Sequence, residues 1–245
     1  MLVNLNEVLK YAEEHNCAIG SFNTPNLENM VAVISAAEEL NVPVIIMHAQ
    51  CHEQDAHLDI VGPVMLLMAK RAKVPVCVHL DHCEDLDYLK RAIDLGFTSV
   101  MLDASSKPYD ENVRMTKEAV RLAHAKNVSV EAEIGVLGGR EAGDQKPLTK
   151  EEMYTDPELA KRFVEDTLCC SPPLRFDALA CSFGTAHGIY KVKPELDFER
   201  IKKIKALCNL PLVMHGGSGV SSEDYVKAIQ CGVRKINYYS YMARE

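Results

Sequence analysis

Short apolar runs alternate with longer amphipathic segments along the whole chain. Stretches rich in Val, Ile, Leu and Phe predict strands at 18–23, 43–48, 75–80, 99–103, 129–134, 178–183, 212–215 and 235–239. Between them, apolar residues recur at helical spacing over 27–39, 60–72, 86–94, 111–125, 157–168, 198–207 and 222–230. Strands that alternate with helices indicate parallel βαβ units. Eight such strands favour a closed (β/α)8 barrel of the TIM type over an open doubly wound sheet.

The junctions repeat as well. A helix end, a small or polar residue and then a strand recur as LNVPVII, AKVPVCV, LGFTSVML, KNVSVEA and CNLPLVM. Proline opens several of these strands, where its missing N–H is tolerated. Asp156-Pro157 and Ser221-Ser222-Glu223 read as helix starts. No linker or low-complexity segment interrupts the pattern, so residues 1–245 read as one barrel domain. The chain runs six residues past Tyr239, which leaves the eighth strand without a full covering helix. Two connections exceed what closure needs: the Gly- and charge-rich segment 135–156, expected to form a lid over the barrel mouth, and the His-rich segment 49–59.

Composition narrows the function classes. Hydrophobic residues make up 47% of the 245 positions, enough for a sizeable core. A formal net charge of −8 argues against general nucleic-acid or acidic-membrane binding, yet leaves room for a small anionic substrate in a locally positive site. No apolar run approaches the length of a membrane span, and the polar N-terminus lacks a signal-peptide core. Nine cysteines, an odd number without any CxxC pair, fit reduced thiols in a cytoplasmic protein.

The densest polar stretch is VCVHLDHCED at 76–85. It reads as a Cys/His zinc clip, as a buried strand with ordinary polar residues, or as one corner of a larger site. In a barrel of this kind the active site lies at the C-terminal strand ends. That rule brings His82, His187 and His215 to one rim from three strands, and three imidazoles with an open fourth position suit a catalytic zinc. His79, His48, His52 and His57 read as packing, strand or loop residues. Asp81 is placed either for proton transfer or to orient the neighbouring histidine. Glu131 and Glu133 share a strand face, which offers a metal ligand from one and a layer residue with an ion partner from the other. Glu141 reads, by itself, as a solvated loop charge. The HGGSG turn at 215–219 precedes a helix start and suits a phosphate.

Taken together, HLDHC, GFTSVMLDAS, VEAEIGVLGGRE, YTDPELAKRFVE, SFGTAHGIY, HGGSGV and KINYYS resemble, in family order, the zinc-dependent class II ketose-bisphosphate aldolases of the fructose- and tagatose-bisphosphate type. The resemblance covers essentially the whole chain. It implies zinc on His82, His187 and His215, with Glu133 as an alternative metal ligand. It implies Asp81 as the acid toward the aldehyde oxygen and Glu141 as the base toward dihydroxyacetone phosphate. Asn23, Gly188, Gly216, Gly217, Ser218, Asn237, Tyr238, Tyr239 and Ser240 fall at substrate-binding positions. A monovalent cation (Na+ or K+) near the phosphate and a homodimer or higher homo-oligomer are also implied. The expected reaction is reversible cleavage of a ketose 1,6-bisphosphate, fructose ahead of tagatose, to dihydroxyacetone phosphate and an aldehyde phosphate through a zinc-stabilised enediolate. A metal-dependent sugar-phosphate isomerase or epimerase, or a non-catalytic sugar-phosphate sensor, are the other readings. Arg140 stands where the family often has an acidic residue, and Tyr239 and Tyr241 where its strand-8 motif usually differs.

Overall fold

The computed structural model describes residues 1–135, 154–169, 174–190 and 192–244. A short strand β1 (Leu2–Val3) and helix α1 (Leu5–Glu14) precede the repeating units. The units then run β2 (Ile19–Asn23), α2 (Leu27–Leu40), β3 (Val44–Ala49), α3 (Leu58–Arg71), β4 (Val76–Cys83), α4 (Leu86–Leu95), β5 (Ser99–Leu102), α5 (Tyr109–His124) and β6 (Ser129–Ile134). They continue with α6 (Pro157–Asp166), β7 (Ala178–Cys181), α7 (Phe198–Cys208), β8 (Leu212–Met214), α8 (Ser222–Cys231) and β9 (Val233–Tyr238).

All strand pairings in the barrel are parallel, and β2 pairs with β9 from Ile19↔Lys235 to Phe22↔Tyr238, which closes the ring. The expected (β/α)8 barrel is therefore present, in β2–β9. Strand β1 pairs with β4 at Val76 and Cys77, below the point where β4 turns to β5.

Side-chain alternation sorts the strands into two packing layers. Val44, Ile46, Val76, Val78 and Leu179 point outward to the helices. Ile45, Met47, Cys77, Ala178, Ala180 and Val213 point inward, where they meet Leu5, Val8, Leu9 and Ala12. Helix α1 thus plugs the barrel floor with an i, i+3, i+4, i+7 stripe. It begins at a capping box in which Asn4 accepts from the Glu7 N–H and Glu7 accepts from the Asn4 N–H. The expected caps are present too: Asp156 accepts from Leu159 N–H with Pro157 behind it, and Ser221 accepts from Asp224 N–H. Among the described residues no helix is long and apolar enough to cross a membrane.

Most strand bounds shift by a residue or two from the expected ones, and β4 shifts furthest. Instead of stopping at residue 80, β4 runs to Cys83 with a register shift against β5 between Leu80 and Cys83. His82 inside this irregularity has φ 43°, a left-handed backbone that a histidine seldom adopts. Such bulges re-aim side chains beside active sites.

Candidate active site

The bulge turns His82 toward the barrel axis. Its Nδ1 lies 2.8 Å from Asp103 Oδ2, just past the end of β5. Its Nε2 lies 2.7 Å from Nδ1 of His215, the residue after β8. His187, on the loop after β7, completes the group, with its ring 4.7 Å from that of His82 and 5.9 Å from that of His215. One nitrogen from each of the three lies within 4.8 Å of the others. Nitrogens around a tetrahedral zinc sit roughly 3.3 Å apart, given Zn–N bonds of about 2.0–2.1 Å.

The surroundings suit a cation. The other nitrogen of His215, Nε2, lies 2.7 Å from Glu131 Oε1, so His215 and His82 each have a buried carboxylate behind the ring. Carboxylates in that position fix the tautomer and the ring orientation of a metal ligand. Burial alone would lower the proton affinity of His82, but Asp81, Asp103 and Glu133 overcome it and raise its pKa to about 9. Burial, with His82 and Lys235 nearby, holds the His215 pKa well below the usual range, so that ring is a neutral imidazole. The donor set and the field therefore fit a metal ion. A second group, His82, Asp103 and Glu133, also brings ligand atoms within 4.8 Å.

Beside the histidines, Asp81 is 2% exposed and held at both oxygens. Asn23 Nδ2 donates to Oδ2 and Asn237 Nδ2 to Oδ1, each at 3.1 Å. Asn237 Oδ1 in turn accepts from Lys235 Nζ at 2.6 Å, and that ammonium lies 2.9 Å from Glu131 Oε2. Asp81 and His215 thus share one buried network through Asn237, Lys235 and Glu131. Of the two glutamates on β6, Glu131 has the ion partner, while Glu133 Oε2 lies 3.9 Å from His82 Nδ1.

The glycine turns close the opposite wall. A side chain at Gly216 (φ 64°) would place its Cβ 2.2 Å from Ala186 O, so the loops after β7 and β8 touch backbone to backbone there. Tyr190 OH ties them further, accepting from Ala186 N–H and donating to Gly216 O at 2.8 Å. Gly217 N–H is taken up by Asn237 O at 3.0 Å, and Ser218 Oγ accepts from Tyr239 N–H at 3.1 Å.

A cavity of about 610 Å³ opens over this assembly. Asn23, Asp81, His82, His187, Gly188, Gly216, Ser218, Asn237, Tyr238, Tyr239 and Ser240 all line it. Gly217, Glu133 and His215 are not part of its lining, and Glu141 lies outside the described residues, as does most of the expected lid. Gln50 and Cys51, which the sequence did not single out, also line the cavity, as does His52, which reads from the sequence as an ordinary loop or strand residue. Their signal was a polar run directly after a fully buried strand.

Fold and site together define a (β/α)8 barrel with a three-histidine, carboxylate-backed metal-binding geometry at its catalytic face. The family model described as fructose-bisphosphate aldolase class-II matches residues 3–245, and the chain belongs to that family. It is an aldolase, a carbon–carbon lyase of a generally metal-dependent kind that acts on sugar phosphates. Fructose-bisphosphate aldolase of Staphylococcus aureus is 41% identical over 239 residues, covering 96% of this chain and 80% of that protein. The Giardia intestinalis enzyme of the same name is 41% identical over 265 residues, at 96% and 78% coverage. Among solved structures, the YdjI aldolase from Escherichia coli K12 superposes with a TM-score of 0.86 at 36% identity, covering 100% of this chain and 84% of that one. Fructose-bisphosphate aldolase from Campylobacter jejuni gives 0.76 at 26% identity, with 99% and 78% coverage.

Proposed function

We propose that this chain reversibly cleaves fructose 1,6-bisphosphate to dihydroxyacetone phosphate and glyceraldehyde 3-phosphate, with zinc held by His82, His187 and His215. The convergence of three imidazoles from separate strands beside the doubly held Asp81 carries the reading. When bound, zinc supplies Lewis-acid polarisation of the substrate carbonyl. The chain's own residues do the rest. In the condensation direction Glu141 removes a proton from the carbon next to the carbonyl of dihydroxyacetone phosphate. The new carbon–carbon bond forms at the aldehyde carbon, and Asp81 delivers a proton to its oxygen. Cleavage runs the same transfers backward, with Asp81 taking the hydroxyl proton and Glu141 returning one to carbon. Asn23 and Asn237 fix the Asp81 carboxyl in place for this.

Gly188, Gly216, Gly217, Ser218 and Ser240 form the phosphate end, with α8 adding its N-terminal dipole. Tyr238 and Tyr239 border it. A sodium or potassium ion near the phosphate, Glu133 as an alternative metal ligand, a homo-oligomer and a cytoplasmic location complete the proposal. Incubation with dihydroxyacetone phosphate and glyceraldehyde 3-phosphate tests it. The expected product is a ketose bisphosphate, with the fructose isomer in excess over tagatose. Interconversion of sugar phosphates with no new carbon–carbon bond would instead establish an isomerase.

A further inference from the structure

We propose that Gln50, Cys51 and His52, together with Tyr239, form the wall that selects the aldehyde half of the substrate, and that Tyr88 is the residue positioning that wall. The proposal rests on the aldolase reading above and adds a specificity element to it. The glycine turns that take the phosphate follow β7 and β8. Asp81, which serves the aldehyde oxygen, sits on β4, in register with Ala49 of β3. The aldehyde half therefore lies on the β3–β4 side of the site and faces the turn leaving β3, while Tyr239 stands between the two halves, its backbone N–H on Ser218 Oγ and its ring toward that turn.

That turn is a single 3-10 turn, Gln50–His52, whose three side chains line the cavity. Tyr239 reaches it from the end of β9, its ring 5.2 Å from that of His52. Burial lowers the His52 pKa, despite Asp81 and Asp55, so the wall presents a neutral imidazole, an amide, a thiol and a phenol. Aromatic faces and neutral hydrogen-bonding groups suit the C–H and O–H surfaces of a short hydroxyaldehyde.

The His52 ring is not fixed by side-chain hydrogen bonds: its Nδ1 is buried without a partner among the described residues. Its position is inherited from the turn, which is anchored from behind. Gln50 Oε1 accepts from Glu84 N–H at 2.8 Å. Glu53, the next residue along, accepts from Tyr88 OH at 2.6 Å and from Leu58 N–H at 2.8 Å. Because the Tyr88 hydroxyl proton goes to Glu53, the Tyr88 oxygen accepts from His48 Nε2, 2.9 Å away. Burial, reinforced by His52, lowers the His48 pKa to about 4, so the ring is neutral and this bond places its one proton on Nε2. Arg91 stacks 5.1 Å above the Tyr88 ring and reaches Asp59 at 3.0 Å. Tyr88 itself is buried and does not line the cavity. One hydroxyl thus joins strand β3, helix α4 and the turn that carries the wall.

Tyr88→Phe removes that hydroxyl and keeps the ring. The expected result is an aldehyde KM in condensation raised about threefold to tenfold, about 0.7–1.4 kcal/mol at about 1.4 kcal/mol per tenfold, as the two hydrogen bonds of that hydroxyl are lost. Solvent exchange of the dihydroxyacetone phosphate C–H proton, measured in D2O with no aldehyde present, stays within about twofold. His52→Ala, a change at a partly exposed turn, is expected to alter the preference between glyceraldehyde 3-phosphate and unphosphorylated glyceraldehyde. A merely structural role would lower exchange and condensation together. That outcome, or an unchanged aldehyde KM and preference in both variants, overturns the proposal while the unmodified protein still exchanges the proton. An unmodified protein that exchanges nothing overturns the aldolase reading and this proposal with it.

Discussion

His82 meets two demands with one backbone distortion. A regular strand would point successive side chains to opposite faces, so Asp81 and His82 could not both face the site. The bulge and the positive φ at His82 bring both to the same rim. Strain at a non-glycine left-handed residue is kept only where surrounding contacts enforce it, and here the Asp103 hydrogen bond does so. Asp103→Asn keeps the shape and removes the charge behind the ring. Zinc affinity, read by competition with a chromogenic chelator, is expected to fall about 10–100-fold, and unchanged affinity would show that Asp103 leaves the ligand unaided. The histidines and Asp81 were legible in the sequence because residue type and strand-end position coincide. Lys235 was not, since whether a strand residue points into the barrel or outward depends on register. Its burial beside Glu131 appears only once β9 is paired.

At the level of elements, α1 is where the sequence was hardest to read. No strand of the repeating kind precedes it, so the βα rhythm does not announce it, and its polar face dominates the composition. The structure makes it the barrel floor. Glu13 at its end joins three elements by accepting from Lys205 Nζ at 2.6 Å and Arg234 Nε at 2.7 Å. Burial would raise the Glu13 pKa, but the two bonded cations outweigh it and lower it below 4.5. A carboxylate with a depressed folded-state pKa adds stability above its unfolded value, and loses it as pH falls through the folded one. The urea-midpoint difference between the unmodified protein and Glu13→Gln should therefore be present at neutral pH and shrink on acidification below 4.5. A difference independent of pH would assign it to packing. The Tyr88-centred anchor of the β3 turn escaped the sequence for another reason: its partners, His48, Glu53 and Arg91, become neighbours only when α4 packs beside β3 and β4.

For the whole molecule, the alternation of strands and helices was enough to predict the barrel, because each βα unit carries its own periodicity and junction. The site was legible in outline for a related reason. A closed barrel sends every strand's C-terminal end to one face, so residues 105 and 133 positions beyond His82 (His187 and His215) become its neighbours. The path from Asp81 through Asn237 and Lys235 to Glu131 and His215 links the proposed proton donor to one of the proposed metal ligands within one ring of strands. The central claim, that these three histidines hold the zinc on which carbon–carbon cleavage depends, is tested most directly by removing the metal. The protein is stripped with a chelator, and fructose 1,6-bisphosphate cleavage is followed while zinc is added back. The account predicts loss of cleavage, recovery complete at one zinc per chain, and no lysine adduct trapped by borohydride. Full cleavage by the stripped protein, or a reduced imine on a lysine, would contradict it.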